Sequence, residues 1–564
     1  MKREAAISLP LVVDLSVRPP VATDLGIALE GAAMPHPDPK DPLTTIAGVV
    51  KRFAIRPPAP DVQLLDELGA FVDKWLVDNL TPLEPHADTS FEAWIEKTNY
   101  PLWRKGELRA KWEVMDHTWE NYNGVVLRDW TTVKSFMKDE TYDTWKYARA
   151  INSRTDEFKS LVGPIFRLIE EKLYEHPSFV KHIPVAERPQ YIYDLLYREA
   201  GTYYVSDYTA FESLFVRPLM EKVEFRLYEY MTKALPCGRA FMDVVVRVLG
   251  GLNWCEYRDF FVSLVGSRMS GEMNTSLGNG FSNLMFMLFV LEKSACRDVR
   301  GVVEGDDGLF TCSGTPDESL FDKLGLRIKL EKTDSLAEAS FCGMIFDTDD
   351  RLTVTNPLEV LASVGWASAR YSRSGTKILR PLLRCKALSL AHQYPGCPII
   401  SALAHYVLRE TRDVRRIRMV KVLNSRKGMS MWERDQLLDA LADESRITRL
   451  EPPINTRFLV EKKYGITVEE QRAVERYFDK CTELRPLKLD YMVDKCPQSW
   501  RDYWTTYVLS PVDLDRPIVS APHHVVQLPC RLDGQWLVPL DAPKRRRPRM
   551  RCRQDDLRGR AIYA

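Results

Sequence analysis

The sequence predicts an α+β fold, and three observations carry that prediction. Short β-branched and aromatic runs occur in the middle of the chain, at 202–205, 302–303 and 309–312. Apolar residues at helical spacing fill 61–80, where Leu64, Leu65, Leu68, Phe71, Val72, Trp75 and Leu76 follow a helical period. From about 356 to 508 the pattern is helical and basic almost throughout.

Composition narrows the function classes. With 564 residues and 45% hydrophobic content, the chain can pack several subdomains. A formal net charge of +1 announces no nucleic-acid partner, so any basic surface must be local. The 11 cysteines include no C-x-x-C pair and no neighbouring histidine cluster, which argues against a zinc module or a disulfide framework and favours a reducing compartment. No run reaches the ~18 apolar residues of a membrane span. The first 17 residues, with Pro10 and Asp14, do not read as a signal peptide.

Taken in order, residues 1–60 are rich in Pro, Ala and Asp and predict an irregular extension. Residues 91–107 mix Trp94, Tyr100 and Trp103 with Lys97, Arg104 and Lys105. That composition suits a helix packing its aromatics or a surface beside a nucleic-acid strand. Residues 146–154 form a short basic strand, and 163–174 a helix. A strand at 202–205 leads to Asp207, and a mostly helical insert spans 218–264. A loop at Ser270-Gly271 opens the helix 277–293. Further strands are expected at 326–330 and 340–346, with a helix at 317–324 between the acidic hairpin and the first of them. The tail from 511 is Pro-rich, and 544–560 holds nine Lys or Arg against Asp555 and Asp556, which suits sequence-independent binding to phosphate backbones.

The chemistry gathers at Gly305-Asp306-Asp307-Gly308, a turn between two apolar runs. The glycines bracket the carboxylates as a tight hairpin requires. Two adjacent carboxylates are costly to hold together without a cation between them, so the turn is a candidate divalent-metal site. Asp207, at a strand end, could join Asp306 across an adjacent strand, and such acids can hold two Mg²⁺ ions. Thr275 and Asn279 lie four apart, so they share a face of the helix that follows Ser270-Gly271. A polar pair there suits the reading of a ribose 2′-hydroxyl.

Three patterns in order, D-x4-E at Asp207 and Glu212, S-G-x3-T-x3-N from Ser270 to Asn279, and Gly305-Asp306-Asp307, resemble motifs A, B and C of viral RNA-directed RNA polymerases. Arg149 to Arg154, reading R-A-I-N-S-R, resembles motif F of the tombusvirus-like group of positive-strand viruses. Residues 326–334 resemble motif D, where Lys332 fits the register better and Lys329 is the alternative. Ser340-Phe341-Cys342-Gly343 resembles motif E. Glu212 departs from the family, which has a second Asp there.

The resemblance implies a right-handed fingers–palm–thumb architecture. Its parts would be an N-terminal extension at 1–90, fingers at 91–200, a palm at 201–355 with a fingers insert at about 218–264, a thumb at 356–510 and a tail at 511–564. It implies Mg²⁺ or Mn²⁺ at Asp207 and Asp306 with Asp307 close by, and a general acid at Lys332. Arg149 and Arg154 would cover the triphosphate. Ser270, Gly271, Thr275 and Asn279 would handle the ribose, with Glu212 facing Asn279. The implied partners are RNA template and product, NTPs, other viral replication proteins and, through them, host membranes in the cytoplasm; DNA is not among them. Reverse transcriptases share the palm but favour an aromatic before their Asp pair, where this chain has Gly305. An RNA-binding structural protein would use the basic tail but has no need of spaced carboxylates. No G-x4-G-K-[ST] occurs, so a fused helicase is not expected.

Overall fold

A computed structural model describes residues 5–8, 22–53, 57–122, 124–125, 127–258, 260–425, 431–442 and 447–509. The basic stretch at 544–560 lies outside the described residues. The described strands are β1 (Ala5–Ser8), β2 (Ala22–Asp24), β3 (Thr132–Met137), β4 (Ala150–Arg154), β5 (Tyr203–Tyr208), β6 (Leu252–Glu256), β7 (Phe261–Val265), β8 (Arg297–Glu304), β9 (Asp307–Ser313), β10 (Ile328–Thr333) and β11 (Trp366–Ser368). They form a five-stranded sheet ordered β1-β7-β6-β3-β4, a four-stranded sheet ordered β10-β5-β9-β8, and the pair β11-β2. The mixed helix-and-sheet class expected from the sequence is therefore present.

The four-stranded sheet is antiparallel throughout, and the centre of β5, β8 and β9 is buried on both faces. Tyr204, Tyr208, Val303 and Phe310 enter the largest apolar cluster, and Tyr203, Val302 and Leu309 enter a smaller one. This split follows the two-residue period of the strands. The helix Thr275–Lys293 lies in the large cluster and is apolar almost all round, so it behaves as a core helix rather than a surface one. The helices Val62–Asn79 and Asp156–Leu173 pack in the same cluster. Asp61 caps the first, accepting from the Leu64 N–H at 2.8 Å.

Three expectations change. Residues 252–256 and 261–265 are strands of the five-stranded sheet, not helix. Their alternating burial is the β signal inside a stretch otherwise helical from Arg217 to Leu249. Residues 340–346 form no strand. Phe341 and Met344 exchange backbone hydrogen bonds around Cys342 and Gly343, both at positive φ, which makes a tight turn of the I′ kind. The extension is not irregular in its second half. The helix Pro42–Phe53 packs on the five-stranded sheet through Ile46, Val49 and Phe53, while Ile27, Leu29 and Ala32 enter the C-terminal helical cluster. Of the two readings of 91–107, packing holds for Trp94, which is buried with Phe91, Ile95 and Leu108, and Arg104 is spent on Asp156 at 2.6 Å.

Candidate active site

The hairpin β8–β9 pairs Glu304 with Asp307, so its turn is Gly305-Asp306. Gly305 takes φ +62° at the first turn position, where a two-residue hairpin of the II′ kind needs glycine. Gly308 is not part of the turn. It lies inside β9, where a Cβ would come within 2.5 Å of Ser206 Oγ, so it is glycine for close packing. Asn283 Nδ2 donates to the carbonyls of both Gly305 (3.3 Å) and Asp306 (3.1 Å) and so fixes the turn from the central helix.

Register then assembles the acids. Lys329 pairs with Asp207, Ser206 with Gly308, and Glu304 with Asp307. Residues opposite one another in an antiparallel sheet share a face. Lys329, Asp207, Asp307 and Glu304 therefore form a row across four strands, with Asp306 at the tip of the turn. Arg188 Nη1 pairs with Glu304 at 2.6 Å and closes the row at one end.

The electrostatics follow from this crowding. Desolvation in the cleft, then the charges of Asp306, Glu304 and Asp207, push the Asp307 carboxyl up to about 7, although a Cys342 hydrogen bond opposes the shift. Asp306 is also raised, by desolvation first and by Glu212 next, while Arg149 and Arg52 pull the other way. Both side chains still reach solvent, so the cleft is open. Hard oxygen donors whose charges repel one another suit Mg²⁺ or Mn²⁺. Among the described residues no three Asp, Glu, His or Cys side chains are drawn into a ready-made ligand cluster. The donors fit the ion in chemistry, and Asp207 and Asp307 on one face with Asp306 at the turn are the residues that could hold it.

Other expected residues divide into those brought to the cleft and those taken from it. Arg149 is half-exposed, pairs with Glu140 at 2.7 Å, and is felt by Asp306. Arg154 is a correction. Its side chain is buried, donating to Glu272 Oε1 (2.7 Å), Asn253 Oδ1 (2.6 Å) and the Trp130 carbonyl (2.7 Å), so it has no free donor face for a triphosphate. The cause is strand parity: β4 sends Arg154 inward, where it anchors the Ser270-Gly271 loop through Glu272. Lys332 is a second correction. It pairs with Tyr204 on the opposite face of the sheet from Asp207, and Lys329 is the lysine on the acidic face.

The Ser270-Gly271 loop docks on β4 through the Asn152 N–H and the Ser270 carbonyl (2.5 Å), and Gly271 sits at φ +103°. A buried Arg268–Glu224 pair holds the loop from behind. Thr275 Oγ1 donates to the Met269 carbonyl (3.0 Å) and so closes the loop. Asn279 is buried one helical turn before Asn283, and its Oδ1 has no partner among the described residues. Glu212 accepts from Ser270 Oγ at 3.3 Å and pairs with Arg52 Nη2 at 3.3 Å. Among the described residues no hydrogen bond joins Glu212 to Asn279, and the contacts of the Glu212 carboxylate are Ser270 and Arg52. Sequence reasoning missed Asn283, Glu304, Arg188 and Arg52. Asn283 had a readable signal, since Thr275, Asn279 and Asn283 continue one polar row at intervals of four. Arg52 had none.

Two comparisons bear on this site. Residues 250–485 match the sequence model of the family described as viral RNA dependent RNA polymerase. The chain is also similar to the RNA-directed RNA polymerase of Panicum mosaic virus (strain United States/Kansas 109S), at 28% identity over 235 residues, 39% of this chain. That match covers 22% of the relative's length. The resemblance read from the motifs is borne out by both. The family match includes Ser270, Asn279 and the Gly305 turn and begins after Asp207 and Glu212.

Proposed function

We propose that this chain, whose residues 250–485 match the viral RNA dependent RNA polymerases, is an RNA-directed RNA polymerase that copies a viral RNA genome from NTPs. The observation that carries the reading is the acidic row. Asp207 and Asp307 meet on one face of adjacent strands, with Asp306 at the turn and the Ser270–Glu212 contact beside it. In this reading the four-stranded sheet is the palm, the five-stranded sheet belongs to the fingers, and the helices after 356 form the thumb.

Each residue then has a task. Asp207 and Asp306, with Asp307 close by, would hold Mg²⁺ or Mn²⁺, which supplies charge neutralisation at the triphosphate and lowers the pKa of the attacking 3′-hydroxyl. Arg149 offsets phosphate charge from the cleft wall. Glu212 and the unpartnered Oδ1 of Asn279 accept from ribose hydroxyls, and only RNA precursors offer the 2′ donor. Lys329 stands where a proton can be given to the departing pyrophosphate. Positioning and charge neutralisation carry the reaction, because the bond change needs no protein nucleophile. The RNA template, its product and NTPs are the partners, and DNA is not. By the same resemblance, replication proteins would bring the chain to host cytoplasmic membranes; no helix among the described residues is long and apolar enough to cross one.

The test is incorporation by the full chain on an RNA template with Mg²⁺ or Mn²⁺, NTPs in one arm and dNTPs in the other. NTP incorporation is expected, with a loss of at least about a hundredfold in Asp306→Ala. Full activity in that variant would remove the assignment, and preference for dNTPs would favour a reverse transcriptase.

A further inference from the structure

Arg52 comes from the N-terminal extension, far in sequence from every motif, yet it ends at the ribose corner. Its guanidinium forks between two parts of the site. Nη2 pairs with Glu212 Oε2 at 3.3 Å, and Nη1 donates to the Ala150 carbonyl of β4 at 3.4 Å. Glu212 spends its other oxygen on Ser270. Both members of the ion pair are more than four-fifths buried, at 17% and 14% exposure, so solvent screens the contact only weakly. The helix that delivers Arg52 is seated by Gly48, where a Cβ would come within 2.6 Å of the Ala148 carbonyl oxygen. That seat lies beside Arg149. Arg52 and Glu212 both act on the charge of Asp306, which puts the pair within electrostatic reach of the acidic turn.

We infer that Arg52 is a positioning residue for ribose selection: it holds the Glu212 carboxylate in place, and the helix Pro42–Phe53 thereby completes the nucleotide site. The inference rests on the polymerase reading. It also accounts for a glutamate where the family has aspartate. A side chain one methylene longer reaches the guanidinium on one side and Ser270 on the other. A carboxylate fixed at two points presents its remaining lone pairs to a 2′-hydroxyl at little ordering cost, whereas a free one must be ordered by the substrate. Arg52 touches no nucleotide in this scheme and acts through Glu212 alone.

The test uses the full chain with an RNA template and primer. It compares kcat/KM for one NTP with that for its 2′-deoxy counterpart. Arg52→Gln is expected to lower the ratio about tenfold, through a higher KM for the ribonucleotide, with the deoxynucleotide little changed. Arg52→Lys keeps the charge but not the fork and should fall between. Gly48→Val, which unseats the helix without touching the pair, should shift the ratio the same way. In a Glu212→Gln background, Arg52→Gln should add less than about a twofold further change, because the partner is already gone. A purely structural Arg52 would lower both rates together and leave the ratio alone. Ratios within about twofold of the native chain in both Arg52 variants overturn the inference, and if Arg52→Gln does not fold, the same result in Arg52→Lys overturns it. A native chain that incorporates neither nucleotide fails the polymerase reading itself, whereas a selective native chain with equally selective Arg52 variants fails this inference alone.

Discussion

Lys329 and Lys332 lie three residues apart on the edge strand β10, and the pleat separates their chemistry. Lys329 stands opposite Asp207, and Lys332 stands opposite Tyr204 on the other face. If a lysine of this strand acts as general acid, Lys329→Ala should slow single-turnover incorporation by about a hundredfold, and Lys332→Ala should stay near the native rate. Equal losses in the two variants would reject the facial argument. Asp307 carries a second prediction at this scale. Its folded pKa of about 7 stands above the ordinary 3.8, so the folded chain holds this proton more tightly than the unfolded chain. Metal-free stability from this group is therefore highest below the ordinary value and is lost as pH rises towards about 7. Asp307→Asn removes that loss. In EDTA its Tm relative to the native chain should rise between about pH 4 and pH 8, by less than the shift alone suggests because the carboxylate reaches solvent. A Tm difference independent of pH would contradict the crowding of charge around Asp307.

Among the elements, β4 shows how one strand can divide two similar residues. Arg149 precedes it and stays half-exposed in the cleft, while Arg154 ends it and is buried on Glu272. Replacing Arg154 with Met leaves Glu272 buried and unpaired, so unfolding in urea should show a loss of about 3–5 kcal/mol. Arg149→Ala should instead raise the KM for NTPs with little change in stability, because its pair with Glu140 is open to solvent. An Arg154→Met protein of native stability would return that residue to the triphosphate. In the sequence Arg149 and Arg154 are five apart, a spacing that a regular strand turns to opposite faces. What it lacked was the identity of the inner partner, Glu272, which lies 118 positions away.

The whole molecule is tied together by its N-terminal segment. The Leu25 N–H donates to the Gly365 carbonyl at 2.8 Å, and the Glu30 N–H donates to the Leu487 carbonyl at 3.0 Å. Ile27 and Leu29 are fully buried among C-terminal helices, and further on Ile46, Val49 and Phe53 lie against the five-stranded sheet. One short stretch thus spans the C-terminal helical body and the sheet that carries Arg149. Leu29→Ala should cost about 2–5 kcal/mol in a thermal or urea melt, the range for a cavity in a packed core. A cost near zero would mean that the segment is an appendage after all.

By itself the sequence determined the local chemistry. The acid turn opened by Gly305, the strand leading to Asp207, the helix after Ser270-Gly271 and the helical C-terminal half are set by turn residues and by hydrophobic period, which act over a few residues. Tertiary structure alone decided which of those groups meet. Strand register put Lys329 rather than Lys332 beside Asp207 and gave Gly308 to packing rather than to the turn. Long-range burial took Arg154 out of the cleft and brought Arg52 into it across 160 positions. Neighbours that distant leave no period or spacing in the chain, because nothing local fixes which face or which partner a folded sheet will offer.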